Sequence, residues 1–188
     1  MAILKVLGMD PSLRNWGIAA GTLDTETGKL TVKHVKVIQS VIPEGKQVRQ
    51  NSKDLSAAQQ IMAGILPYLN EKPHLIFAEV PVGSQSARAM ASYGLCVGIL
   101  GSIRALGIPF FEVTPNEVKM ATVGTKTATK DQMIAYATRE QPDANWPMRG
   151  GVLSAAKAEH MADAYAAIVA GLNTNEYLQL AAMQQTKG

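Results

Sequence analysis

Three acidic residues sit where a folded chain could bring them to one point. Asp10 closes the apolar run ILKVLGMD, Glu79 closes the apolar run in LIFAEV, and Asp163 lies in AEHMADAYAAIVAG with Glu159 and His160 just before it. Carboxylates are the hard oxygen ligands that Mg²⁺ or Mn²⁺ takes, and two such ions held a few ångströms apart suit phosphodiester hydrolysis. His160 and Asp163 are three apart, so on a helix they address one point. Glu159, four residues before Asp163, is a competing ligand.

Each residue also has a plainer reading. An Asp before Pro is commonly a turn former, and a helical His is commonly structural. Glu79 is harder to set aside, because a lone charge in LIFAEV would be costly to bury. Asp163 among Ala162, Ala164, Ala166 and Ala167 has the same need of a partner. Taken singly the signals are weak; taken together they describe an acidic site that only folding can assemble.

The elements that must position these residues follow from periodicity. ILKVLGM, WGIAAGTL and LTVKHVKVI are three β-rich runs separated by turns, which predicts an antiparallel meander. VIPEGKQVRQNSKD reads as a loop. Leu55, Ile61, Met62, Ile65, Leu66 and Leu69 share one helical face, and Pro73 stops that helix. HLIFAEV is a short buried strand, and a helix from Ser84 to Leu106 follows, stopped by Gly107. FFEV is a further strand. Thr114 with Pro115 opens the helix PNEVKMAT, Asp131 to Arg139 is helical, and QPDANWPMRGG is irregular. Ser154 opens a last helix through Val169, and a polar tail from 171 to 188 frays. The fold class is α/β: a mixed sheet, its first three strands a meander, with helices on its faces.

The chain of 188 residues, 47% hydrophobic and 18% charged, suits one domain with a full core. A net charge of +3 permits a polyanionic partner without demanding one. Single Cys96 cannot form an internal disulfide and points to a reducing, intracellular setting, and no stretch reaches the length of a membrane span. Lys119, Lys126 and Lys130 cluster around Gly124, with Arg88 and Arg14 nearer the two acidic strands. Beside a metal site they become phosphate contacts; otherwise they are solvated surface. The 84–106 helix carries Ala87, Ala91, Gly94, Gly98 and Gly101 beside apolar Met90, Leu95 and Val97, so it either packs closely on its own sheet or needs cover on a second side.

The chain resembles the RuvC family of Holliday-junction resolvases, within the RNase H-like superfamily. GMDPSLRNWGIA is similar to that family's first acidic strand, with Ser12 where glycine is usual. FAEVPVGSQSARA, TPNEVKMATVGTKTATKDQM and AEHMADAYAAIVAG resemble its later motifs, in order, over residues 1–170. The resemblance implies an RNase H-like fold with a five-stranded sheet and helices on both faces. It implies a metal set of Asp10, Glu79, His160 and Asp163, two Mg²⁺ ions with Mn²⁺ as substitute, and Lys119 and Lys130 on phosphates. It implies a homodimer that nicks four-way junctions symmetrically in the cytoplasm of a bacterium or a virus-infected cell. The aromatic residues that many members carry after the second glutamate are here Pro81, Val82 and Gly83. The stretch from Gln141 to Ala156 is longer than in compact members. An inactive branched-DNA binder on the same fold, and half of an actin-like ATPase, are the alternatives. The first is opposed by the intact carboxylates, the second by the lack of a Gly-rich phosphate loop and a duplicated domain.

Overall fold

Strand propensity and alternation build the sheet first. In the computed structural model, which describes residues 3–42 and 48–185, β1 (Ile3–Asp10), β2 (Asn15–Asp24) and β3 (Leu30–Gln39) form the expected meander. Then come α1 (Gln50–Asn70), β4 (Leu75–Glu79), α2 (Ala87–Arg104), β5 (Phe110–Val113), α3 (Pro115–Thr122) and α4 (Lys130–Glu140). The chain closes with β6 (Met148–Arg149), β7 (Val152–Leu153), α5 (Ala155–Gly171) and α6 (Asn175–Gln185). The main sheet has the order β3-β2-β1-β4-β5. β1, β2 and β3 pair antiparallel, whereas β4 lies parallel to β1 and β5 parallel to β4.

The pleat divides the core into two layers. Val6, Val35 and Phe77 face Met161, Tyr165 and Ile168 of α5. Leu7, Met9, Ile18 and Ile76 face Ile61 and Ile65 of α1 and Cys96, Leu100 and Ile103 of α2. Cys96 is fully buried, as a small core residue should be, and burial together with the charge of Asp10 pushes its thiol up to about 12. Among the described residues no helix is long and apolar enough to cross a membrane.

Three expectations need correction. Helix α1 begins at Gln50, so the last five residues of the expected loop are helical, and 43–47 lie outside the described residues. The expected fraying tail instead forms α6, whose Tyr177 and Leu180 pack on the core. Tyr177 meets Phe77 and Phe111 edge-on, at ring separations of 6.1 and 5.6 Å, and these apolar contacts hold a segment whose composition is mostly polar. The irregular stretch after α4 is in part a surrogate strand. Gln141 and Asn145 accept from the backbone N–H groups of Val32 and Val35 at 2.8 and 2.6 Å, and Asn145 N–H donates to Lys33 O. These bonds cover part of the open edge of β3, which would otherwise invite pairing by another chain.

Candidate active site

The ends of β1 and β4 place the two strand carboxylates side by side. The parallel register runs to Met9 opposite Ala78, so Asp10 and Glu79 are each the next residue at the same end. Helix α5 delivers the rest, and two glycines let it approach. A Cβ on Gly17, the partner of Asp10 across β1 and β2, would overlap the carbonyl of His160. A Cβ on Gly8 would overlap the carbonyl of Ala164. The helix backbone therefore lies directly on the sheet, with His160 over Asp10 and Asp163 one turn further along.

His160 Nδ1 donates to Asp10 Oδ2 at 2.8 Å, with both side chains half-buried. Burial raises the Asp10 carboxyl, while the hydrogen bond and charge of His160 oppose that rise. The same hydrogen bond raises the imidazole against its own desolvation. Burial, then the charges of Asp10 and Asp163, push Glu79 up to about 8; Lys119 pulls the other way. Asp163 is pushed up to about 7 by burial and by Asp10 and Glu159, with His160 and Lys119 opposing. Glu79 and Asp163 are both raised by the charge of Asp10, and Glu79 by Asp163 as well, so the three carboxyl groups share one neighbourhood.

A cavity of about 230 Å³ opens beside them, lined by Glu79, Asp163, Lys119, Lys130 and Glu159 among others. Thr114 and Thr129 fix the two lysine-bearing helices, each closing a capping box with Glu117 or Gln132. Lys130 is the first residue of α4, where the helix dipole disfavours a cation. Glu159 offsets that cost with an ion pair at 2.6 Å, which also raises the ammonium. The competing acid of the sequence is thus engaged by a lysine.

The remaining basic residues separate. Lys126 is exposed on the turn between α3 and α4, and Arg14 on the turn between β1 and β2. Arg88 lies on the α1 side of the sheet, clamped to Asp54 by Nη1 at 2.7 Å and Nη2 at 2.5 Å. That bidentate pair joins α1 to α2 and takes up the guanidinium which sequence position had offered to phosphate. Sequence reasoning had no signal for it, since Asp54 lay in an expected loop.

The donor chemistry suits hard divalent cations. Asp10, Glu79 and Asp163 offer carboxylate oxygen, and their crowding leaves negative charge in want of a positive partner. Among the described residues no three such side chains already stand as a ligand cage, and Asp10 Oδ2 is held by His160 instead. His160 Nδ1 is therefore a support for a carboxylate in this arrangement.

No family model matches the chain. It is 28% identical over 149 residues to the crossover junction endodeoxyribonuclease RuvC of Burkholderia vietnamiensis, covering 72% of this chain and 71% of that one. To the RuvC of Anaeromyxobacter dehalogenans it is 32% identical over 137 residues, 70% of this chain and 66% of the other. The chain belongs to the RuvC family. The solved Thermus thermophilus RuvC in complex with Holliday junction substrate shares the fold, with a TM-score of 0.64 at 20% identity over 89% of this chain and 92% of that one. The Fowlpox virus resolvase bound to Holliday junction DNA does so more distantly, with a TM-score of 0.51 at 10% identity over 96% and 98%. The RuvC-family fold thus agrees with the meander, the mixed five-stranded sheet and the helices expected from pattern.

Proposed function

We propose that the protein is a structure-selective endonuclease that resolves four-way DNA junctions by metal-dependent phosphodiester hydrolysis, as a homodimer, leaving 5′-phosphate nicks. The observation that carries this reading is the convergence of Asp10, Glu79 and Asp163 from two strands and a helix, beside a cavity with two lysines, in a RuvC-family chain. The nuclease unit spans 1–170 and works in the cytoplasm of a bacterium or a virus-infected cell.

Asp10, Glu79 and Asp163 would hold two Mg²⁺ ions, with Mn²⁺ as substitute. Bound there, the ions supply an activated water and offset charge on the leaving oxygen. The chain's own residues do the rest. His160 fixes the rotamer of Asp10 through the Nδ1–H bond, so one carboxylate oxygen stays turned inward. Lys119 and Lys130 bind the phosphates that flank the cut. Glu159 holds Lys130 over the cavity until a phosphate takes its place, and the N-terminus of α4 favours the same anion. Lys126 and Arg14 extend the phosphate track on either side.

Symmetric cutting needs two sites related by a two-fold axis. Helix α2 offers the face: Ala87, Ala91, Gly94, Gly98 and Gly101 are exposed, and a Cβ at any of the three glycines would meet nothing within 4 Å. The small residues therefore do not serve packing on the chain's own sheet, and a second α2 can approach them closely.

The test incubates the protein with labelled four-way junction and linear duplex, with and without Mg²⁺. Paired nicks in the junction alone, dependent on the metal, are expected. Junction binding with no cutting in either Mg²⁺ or Mn²⁺ would make the protein an inactive binder. Sedimentation of the unmodified chain should give a dimer, and Gly98→Glu a folded monomer with unpaired nicks.

A further inference from the structure

The connection between α4 and α5, Gln141 to Ser154, exceeds the roughly two to eight residues that usually join helices. Its first half is anchored on β3 by Gln141 and Asn145, with Trp146 Nε1–H donating to Gln141 O at 2.8 Å and the indole against the core. The second half is a small hairpin. Met148 pairs with Leu153 and Arg149 with Val152, and Ser154 N–H donates to Pro147 O at 2.8 Å to close the base. Gly150 and Gly151 turn it with φ of +57° and +79°, the tight turn whose twist suits a two-stranded ribbon. Leu153 packs on the core, yet Met148 is 60% exposed and Val152 71%.

The place of this ribbon follows from the direction of α5. The helix lies on Gly17 at His160 and on Gly8 at Ala164, deeper in the sheet, so its N-terminus points outward at the end carrying Asp10 and Glu79. Ser154 lies six residues before His160 and hence about 9 Å further out. The hairpin therefore stands beyond the carboxylates on the β3 side, while Lys119 and Lys130 stand on the β5 side. From Ala144 to Ala158 the sequence contains no acid. Lys157, in the first turn of α5, and Arg14, on the β1–β2 turn at the same end of the sheet, are exposed.

A protein partner would suit the apolar tip alone, but the flanking cations and the adjoining phosphate-binding cavity favour a polyanion. DNA presents both surfaces: phosphates for Arg14 and Lys157, and base faces for apolar side chains, which protein wedges use where stacking is interrupted. We propose that the Met148–Leu153 hairpin is a DNA-contacting element, its tip laying Met148 and Val152 against the bases at a branch point beside the cut. The assignment rests on the nuclease reading above and adds to it the feature by which branched DNA would be told from linear duplex.

The test uses the full chain carrying Met148→Ser and Val152→Ser together. Both side chains are already exposed, so the melting temperature should not move, which a thermal scan checks. The probe is a four-way junction with 2-aminopurine beside the branch, compared with a linear duplex of equal length, in EDTA to prevent cutting. The unmodified protein should brighten 2-aminopurine by unstacking it. The double variant should lose most of that signal and bind the junction about tenfold more weakly, with duplex affinity changed less than about twofold. Lys157→Ala should weaken both DNAs alike. Equal brightness and equal junction affinity in the double variant overturn the hairpin assignment alone. A changed sedimentation coefficient with unchanged DNA binding also overturns it, and makes the hairpin a protein contact. Failure of the unmodified protein to bind any branched DNA overturns the nuclease reading, and this assignment with it.

Discussion

Two sets of buried acids lie on opposite faces of the sheet, and their environments act in opposite directions. Asp54 of α1 accepts from Gln50 Nε2 at 2.9 Å and from both terminal nitrogens of Arg88. The Arg88 hydrogen bond, helped by Gln50, holds its carboxyl below the ordinary range despite burial. Asp10, Glu79 and Asp163 have burial without enough compensation and are all raised. The same side-chain chemistry is satisfied within the chain in one place and left wanting in the other. An acid that completes its hydrogen bonds internally ties helices together, whereas acids crowded together without such partners are suited to an external positive charge.

The largest test of that contrast removes one member of each set. Asp10→Asn should lower cleavage of a four-way junction by more than about a thousandfold while junction affinity stays within about threefold, since binding rests on phosphate contacts and cutting on the carboxylates. Near-normal cutting in Mg²⁺ would remove Asp10 from the site. Asp54→Asn should do the reverse. Losing a charged, largely buried bond to Arg88 should cost about 2 kcal/mol of stability in a denaturant titration, with cleavage at 25 °C unchanged. Arg88→Ala should behave in the same way. A selective loss of DNA affinity there would return Arg88 to the phosphate track.

Opposite shifts also give opposite pH dependences. Asp54 is lowered, so its contribution is present above the unfolded carboxyl value near 4 and is lost as pH falls through its folded value. Glu79 and Asp163 are raised, to about 8 and about 7, so their protonated forms favour the folded state. That advantage is complete below the unfolded value near 4 and is lost as pH rises toward 8. In EDTA the melting temperature should therefore fall from pH 5 to pH 9, and Mg²⁺ should recover most of the loss at pH 9. Asp54→Asn should leave that alkaline slope intact and flatten only the acid limb. A melting temperature that is level from pH 5 to pH 9 in EDTA would mean the carboxylates are not crowded.

How much of this the sequence disclosed depends on the range of the interaction. Local signals were legible: the three strands of the meander, the Thr114 cap with Pro115, and acids at the ends of apolar runs. The partners of those acids were not, because Asp10 meets His160 across 150 positions and Asp54 meets Arg88 across 34. Gly8 and Gly17 could have been noticed, since glycine inside a strand often marks close approach of another backbone. The apolar, small-residue composition of α2 showed that cover was needed, but not on which face. QPDANWPMRGG reads as irregular in sequence, and its role as an edge cover lies in Gln141 and Asn145, whose side chains imitate a strand that periodicity cannot register.

The smallest expected effect concerns His160, which donates directly to a member of the crowded set. Its Nδ1–H bond orients Asp10, and its charge opposes the raised values of Asp10 and Asp163. His160→Asp removes that donor and adds a fourth carboxylate, so without divalent cations the fold should weaken by about 1 kcal/mol. Added Mg²⁺ should restore it, because a fourth hard oxygen is also a better partner for Mg²⁺ than an imidazole, which leans toward Mn²⁺. Cleavage should persist, within about tenfold, with the ratio of Mn²⁺-supported to Mg²⁺-supported activity lowered. His160→Ala separates the two roles, since it takes away the orienting bond without adding charge and should slow cutting in both metals. If His160→Asp were folded yet inactive in both ions, the imidazole would be required in the reaction, and the contrast between the two faces would need His160 counted with the carboxylates it supports.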